Sequence, residues 1–129
     1  MPLAMARGLA AIFLAAGAIT CGGSSTAPSN DPSSSGSATI TITSGGVSPS
    51  SVTISLGSRV RFVNNDTRSH NMASDPHPDH TDCPEINQVG FLSAGEARET
   101  GNFVTARTCG FHDHDDPFTK NLQGQIIIH

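Results

Sequence analysis

Apolar and hydroxyl-bearing residues alternate strictly through Ala38-Thr39-Ile40-Thr41-Ile42-Thr43, a period of two that turns one face of a strand to a core and the other to water. The alternation returns in Val52-Thr53-Ile54-Ser55 and, after a turn at Gly57, in Val60-Arg61-Phe62-Val63, until Asn64-Asn65-Asp66 breaks it. No stretch sustains the 3.6-residue apolar period of an amphipathic helix. Short strands punctuated by turn residues have the rhythm of a β-sandwich, so the pattern predicts an all-β domain.

The pattern before residue 38 is of another kind. A single basic group at Arg7 is followed by an apolar and small-residue run from Gly8 to Ile19, which ends just before Cys21. The run is short for a membrane span and polar chain follows it, so it is expected to be a secretory signal, residues 1–21. Cys21 with Gly22, Gly23, Ser24 and Ser25 after it resembles a bacterial lipoprotein signal, which implies lipidation at Cys21; cleavage near Ala16-Gly17-Ala18 is the alternative. Either way the product is exported, to the periplasm or cell envelope, with a lipid anchor as its expected membrane contact. Residues 22–37 are almost wholly Ser, Gly, Pro, Thr, Ala, Asn and Asp. Such a composition cannot bury enough apolar surface to offset the entropy of ordering and reads as a flexible tether. Residues 38–129 are then one small domain, expected as a monomer.

Composition removes some partners. The formal net charge is −4, the arginines are scattered, and there is neither Trp nor Tyr. That leaves no basic footprint for nucleic acid and few aromatic platforms for bases.

The candidate chemistry lies in Cys109-Gly110-Phe111-His112-Asp113-His114, which reads as a thiol and two imidazoles on one short turn. A thiolate and an imidazole at this spacing can meet one ion, and sulfur with imidazole donors selects copper or zinc over magnesium or calcium. The same residues also fit a disulfide cysteine beside two surface histidines.

In order and spacing, Val47-Ser48-Pro49, Val52-Thr53-Ile54, Gly57, Val60-Arg61-Phe62, Asn64-Asn65-Asp66 and His70-Asn71 resemble the first half of a cupredoxin. Leu92-Ser93-Ala94-Gly95-Glu96, Cys109-Gly110-Phe111-His112 and a closing strand from Leu122 to Ile128 resemble the second half. The resemblance, to the plastocyanin, amicyanin, pseudoazurin and azurin family, covers nearly all of the ordered part. It implies a Greek-key β-sandwich with a type 1 blue copper ion, held between an early-strand His and a C-terminal Cys-to-His loop. Carried over, His70 and His112 are the imidazole ligands, Cys109 is the thiolate, and Asn71 ties the ligand loops together from behind. The function implied is one-electron transfer with an unidentified redox partner protein, not enzymatic turnover.

Three departures qualify that expectation. Leu122 stands where the family usually has an axial Met; it cannot ligate and is expected to face the metal. The insertion Asp75-Pro76-His77-Pro78-Asp79-His80-Thr81-Asp82-Cys83 offers His77 and His80 as ligands of a second site. Cys83 could also join Cys109 in a disulfide, leaving copper to histidines alone. His114 adds another possible ligand, and Gly110-Phe111-His112-Asp113-His114 resembles a stretch of copper/zinc superoxide dismutases. Two other functions stay open: a copper-binding or copper-delivery protein with a histidine-rich site, and, with less chain to support it, a superoxide-handling enzyme. Between the two fates of Cys109, the unpaired thiolate is the expectation.

Overall fold

A computed structural model describes residues 37–129. The signal and its Cys21, and the tether apart from Ser37, lie outside the described residues. Nine strands follow in order: β1 Ala38–Thr43, β2 Gly46–Ser48, β3 Ser51–Ile54, β4 Val60–Asn64, β5 His70–Ser74, β6 Gly90–Leu92, β7 Ala97–Glu99, β8 Arg107–Asp113 and β9 Gly124–Ile128. Single turns of 3-10 helix lie at Ile86–Gln88 and Lys120–Leu122.

The strands form two mixed sheets, ordered β2-β1-β4-β7 and β3-β9-β8-β5-β6. Each holds one parallel pair, β1 with β4 and β3 with β9. Because β1 and β4, β4 and β7, β3 and β9, and β5 and β8 pair without being consecutive in the chain, the two layers are stitched together by crossing connections, as in a Greek-key sandwich.

The alternation seen in the sequence decides which face is inside. Ile40, Ile42, Val60 and Phe62 bury one sheet's inner face; Val52, Ile54, Met72, Leu92, Cys109, Phe111, Ile126 and Ile128 bury the other's. Phe62 and Phe111 meet edge to face across the layers, with ring centroids 5.2 Å apart, a preferred aromatic geometry. Gly124 is required beneath Phe111, since a Cβ there would collide with that ring and with the Ser50 carbonyl. Leu122 belongs to this same apolar cluster. Met72 is fully buried as well, packed in the core.

Candidate metal centre

The Cys109-to-His112 stretch is not a turn. It lies within β8, which is hydrogen-bonded on both sides: Cys109 pairs with Ile126 of β9, and His112 pairs with Ala73 of β5. Side chains along a strand alternate between faces, so residues three apart point opposite ways. Cys109, Phe111 and Asp113 therefore face the core, and Gly110 and His112 face outward. On β5, His70 and Met72 share the inner face while Asn71 and Ala73 share the outer one. His70 and His112 accordingly sit on opposite sides of the same sheet, and the expected trio of His70, Cys109 and His112 does not assemble.

Each member has another engagement. Cys109 is joined to Cys83 in a disulfide, with both residues fully buried. Its sulfur is covalently paired and supplies no thiolate, which corrects the expectation that Cys109 stays free. His70 is clamped between two carboxylates: Nδ1 lies 2.6 Å from Asp113 Oδ2 and Nε2 lies 2.9 Å from Asp66 Oδ2. Both ring nitrogens are thus engaged by carboxylates, and neither is left for a metal. The hydrogen bond from His70 holds the Asp66 carboxyl below its ordinary range against the opposing effect of burial, helped by contacts from Thr67 and Arg68. Asn71 does tie segments together, but through its backbone. Its N–H donates to Asp113 Oδ1 and its carbonyl accepts from the His114 N–H. Leu122 is an apolar core residue on a 3-10 turn, so its expected place beside the metal is not supported by its packing.

The histidines of the insertion form the cluster instead. The segment after β5 folds over the outer face of β8 and leaves His112 only 2 % exposed. It is pinned at both ends. The Asp75 N–H donates to the Gly110 carbonyl, the Cys83 N–H donates to Ser74 Oγ, and the disulfide fastens Cys83 to β8. Between these anchors, His77, His80 and His112 each offer a ligand atom, all within 4.8 Å of one another.

Hydrogen bonds fix which nitrogens are offered. His112 Nδ1 lies 2.6 Å from Asp75 Oδ1 and so carries the proton it donates, which leaves Nε2 with a lone pair. That Nε2 is buried and has no partner among the described residues. A buried nitrogen without a partner calls for an explanation, and a carboxylate behind a histidine whose other nitrogen is bare is the usual support of a metal ligand. Gly110 makes the support possible, because a Cβ there would collide with the Asp75 carboxylate.

His80 is held as firmly. Its Nδ1 donates to the Ser74 carbonyl at 2.8 Å, its own carbonyl accepts from Asn87 Nδ2, and its φ of 53° lies in the left-handed region. A non-glycine residue held there by several surrounding contacts is strain of the kind that collects at functional sites. With Nδ1 engaged, Nε2 is the nitrogen that faces the cluster.

His77 is the exposed member. Its ring stands 5.4 Å from His80, 5.5 Å from His112 and 5.2 Å from His114 between centroids. Partial desolvation, then repulsion from His112, His114 and His80, pulls its pKa below the usual imidazole value. That favours the neutral ring a metal requires.

Superposition on known structures finds the same sandwich in a purple cupredoxin from Nitrosopumilus maritimus, with 20% identity and a TM-score of 0.55 over 71% of this chain and 99% of that one. The fold is cupredoxin-like. The oxidized form of an amicyanin mutant superposes with a TM-score of 0.59 at 16% identity, over 73% of this chain and 83% of that one. A Cu(I) form of another amicyanin mutant gives 0.54 at 16%, with the same coverage. No protein-family model and no curated protein matches the chain. This cupredoxin-like sandwich thus carries its histidine cluster on the outer face of one sheet, across β8 from the core.

All three histidines of the cluster stand out in the sequence as possible ligands. The spacing of His77 and His80 suggests a second site apart from His112, and nothing in the sequence marks Asp75 as the carboxylate behind His112. The usable signal was the spacing of His112 and His114, two residues apart, which on a strand puts both rings on one side.

Proposed function

We propose that this protein binds one copper ion through imidazole nitrogens alone, using His77, His80 and His112, and that it serves as a copper-holding or copper-delivering module. The observation that carries the reading is the buried, unpartnered Nε2 of His112, backed by Asp75 and facing two further histidines. Imidazole suits copper, zinc, nickel and iron, and copper binds such donors most tightly of the divalent series. The likeness in fold to copper proteins, one of them described in its Cu(I) form, favours the same metal. A copper ion would supply a Lewis-acidic, redox-capable centre; the protein's part is to hold three neutral rings at one place.

The disulfide supports a carrier of copper over a blue electron carrier, since the intense colour of type 1 sites needs a cysteine thiolate. One-electron transfer remains the second reading, favoured by the fold likeness alone. A buried disulfide also suits an oxidising compartment, in keeping with export and anchorage at Cys21; cell fractionation that placed the protein in the cytoplasm would contradict this.

Titration of the metal-free protein with Cu(II) tests the main reading. We expect a single site, only weak visible absorption, an electron paramagnetic resonance spectrum with nitrogen couplings, and loss of binding in His112→Ala. Failure of the wild-type protein to bind copper would overturn the reading. An intense visible charge-transfer band from the loaded protein would return Cys109 to the metal.

A further inference from the structure

We propose that His114 is a fourth imidazole ligand of this centre and that it sets the oxidation state the centre prefers, making Cu(II) the favoured ion. The proposal rests on the copper-binding reading above and names a residue outside the trio that defines it.

His114 follows directly on β8, two residues after His112, and so continues the outward-facing series. Its position is fixed from two sides. Its own N–H donates to the Asn71 carbonyl at 2.6 Å, and Asp113 steadies the turn beyond it by accepting the Asp115 N–H. The ring stands 4.9 Å from His80 and 5.2 Å from His77 between centroids.

The decisive distance is 2.8 Å, from His114 Nδ1 to His80 Nε2. His80 donates from Nδ1 to the Ser74 carbonyl, so in the neutral ring Nε2 can only accept. His114 therefore donates its Nδ1 proton to the very lone pair that His80 would give to a metal. An ion cannot bind His80 while that hydrogen bond persists.

Metal binding leaves His114 two courses: to swing away, or to turn its own lone pair to the ion. The geometry points to the second. Two nitrogens at about 2.0 Å from one ion and at right angles to each other are about 2.8 Å apart, so Nδ1 stands at a neighbouring-ligand spacing from His80 Nε2 but outside the trio whose ligand atoms all lie within 4.8 Å of one another, and its exposed ring must shift toward them to join. The ring need not lose a proton overall. His114 is exposed, so solvent can take it from Nδ1 while returning one to Nε2, and the imidazole stays neutral. Four nitrogens in tetragonal array suit Cu(II), whereas Cu(I) is content with three. The contribution of His114 is therefore spent mainly on the oxidised ion.

The test compares wild type with His114→Ala and His114→Gln, using copper alone as the probe. Cu(II) and Cu(I) dissociation constants come from competition with chromophoric chelators, and bound nitrogens are counted by pulsed electron paramagnetic resonance on protein carrying 15N-histidine. We expect four coupled imidazoles in wild type and three in each variant. Because partners behind a ligand are worth about 10–100-fold in affinity, losing a ligand should weaken Cu(II) binding by about 100-fold or more, with a much smaller change for Cu(I). The glutamine variant can still donate to His80 Nε2, so it separates ligation from mere hydrogen bonding. Unchanged nitrogen counts, or equal losses for both ions, would overturn the role of His114 while leaving copper binding intact. Wild-type protein that binds no copper would overturn both.

Discussion

Replacing Cys83 and Cys109 together by alanine will lower folding stability by several kcal/mol yet leave the kind of Cu(II) spectrum unchanged. The disulfide closes a span of 26 residues, for which loop entropy alone predicts about 3 kcal/mol. It also holds the segment bearing His77 and His80 against the strand bearing His112, with Cys83 three residues after one ligand and Cys109 three residues before another. Copper affinity should therefore fall as the free segment loosens, while the ligand atoms stay nitrogen. Urea unfolding gives the stability and visible absorption gives the ligand set. A double variant as stable as wild type would remove the clasp, and a spectrum that changes in kind would mean sulfur is at the metal.

The second large effect is expected at His70. His70→Leu leaves Asp66 and Asp113 facing each other in a buried space with no ring nitrogen between them. Removing one partner of a buried, hydrogen-bonded charge pair costs about 3–5 kcal/mol. If His70 were a copper ligand, the variant would lose the metal; here the folded fraction should still bind it. The network also has an acid limit with a definite sign. Asp66 titrates below its ordinary 3.8 in the folded protein, so its contribution to stability is present above that value and is lost as pH falls through the lower, folded one. Asp66→Asn should accordingly narrow its deficit against wild type as pH drops below about 3.8. A deficit that stayed constant through that range in unfolding experiments would show that the Asp66 charge does not stabilise the fold.

The strands were legible because burial of one face leaves a mark in the sequence. β1, β3 and β4 fall on the alternating segments within a residue or so, and Phe62 and Val60 point inward as the pattern required. Which candidate side chains come together was not legible, and the reason is parity. Cys109 and His112 share a metal only if the chain between them turns, as in the family this sequence resembles. Here the chain stays extended to Asp113, and three residues of extended chain put two side chains on opposite faces. Nothing in the residues from Cys109 to Asp113 announces that choice. It depends on pairing with β9 on one side and, on the other, with β5, which is distant in the chain. The carboxylates around His70 were hidden for the same reason: Asp66 is near in sequence, but Asp113 is reached only through the β5–β8 register.

That register also decides what each surface of β8 presents. Both surfaces of β8 are committed, one to the interior through Cys109, Phe111 and Asp113, the other to an imidazole through His112, with His114 directly after the strand. A slip of one residue during pairing would send the histidines into the apolar layer and bring phenylalanine and cysteine out. Such a misaligned chain could neither close its disulfide nor gather its nitrogens. The histidine cluster and the disulfide are therefore joint readouts of one register: only molecules whose longest strand has paired in the correct frame bring His77, His80 and His112 together.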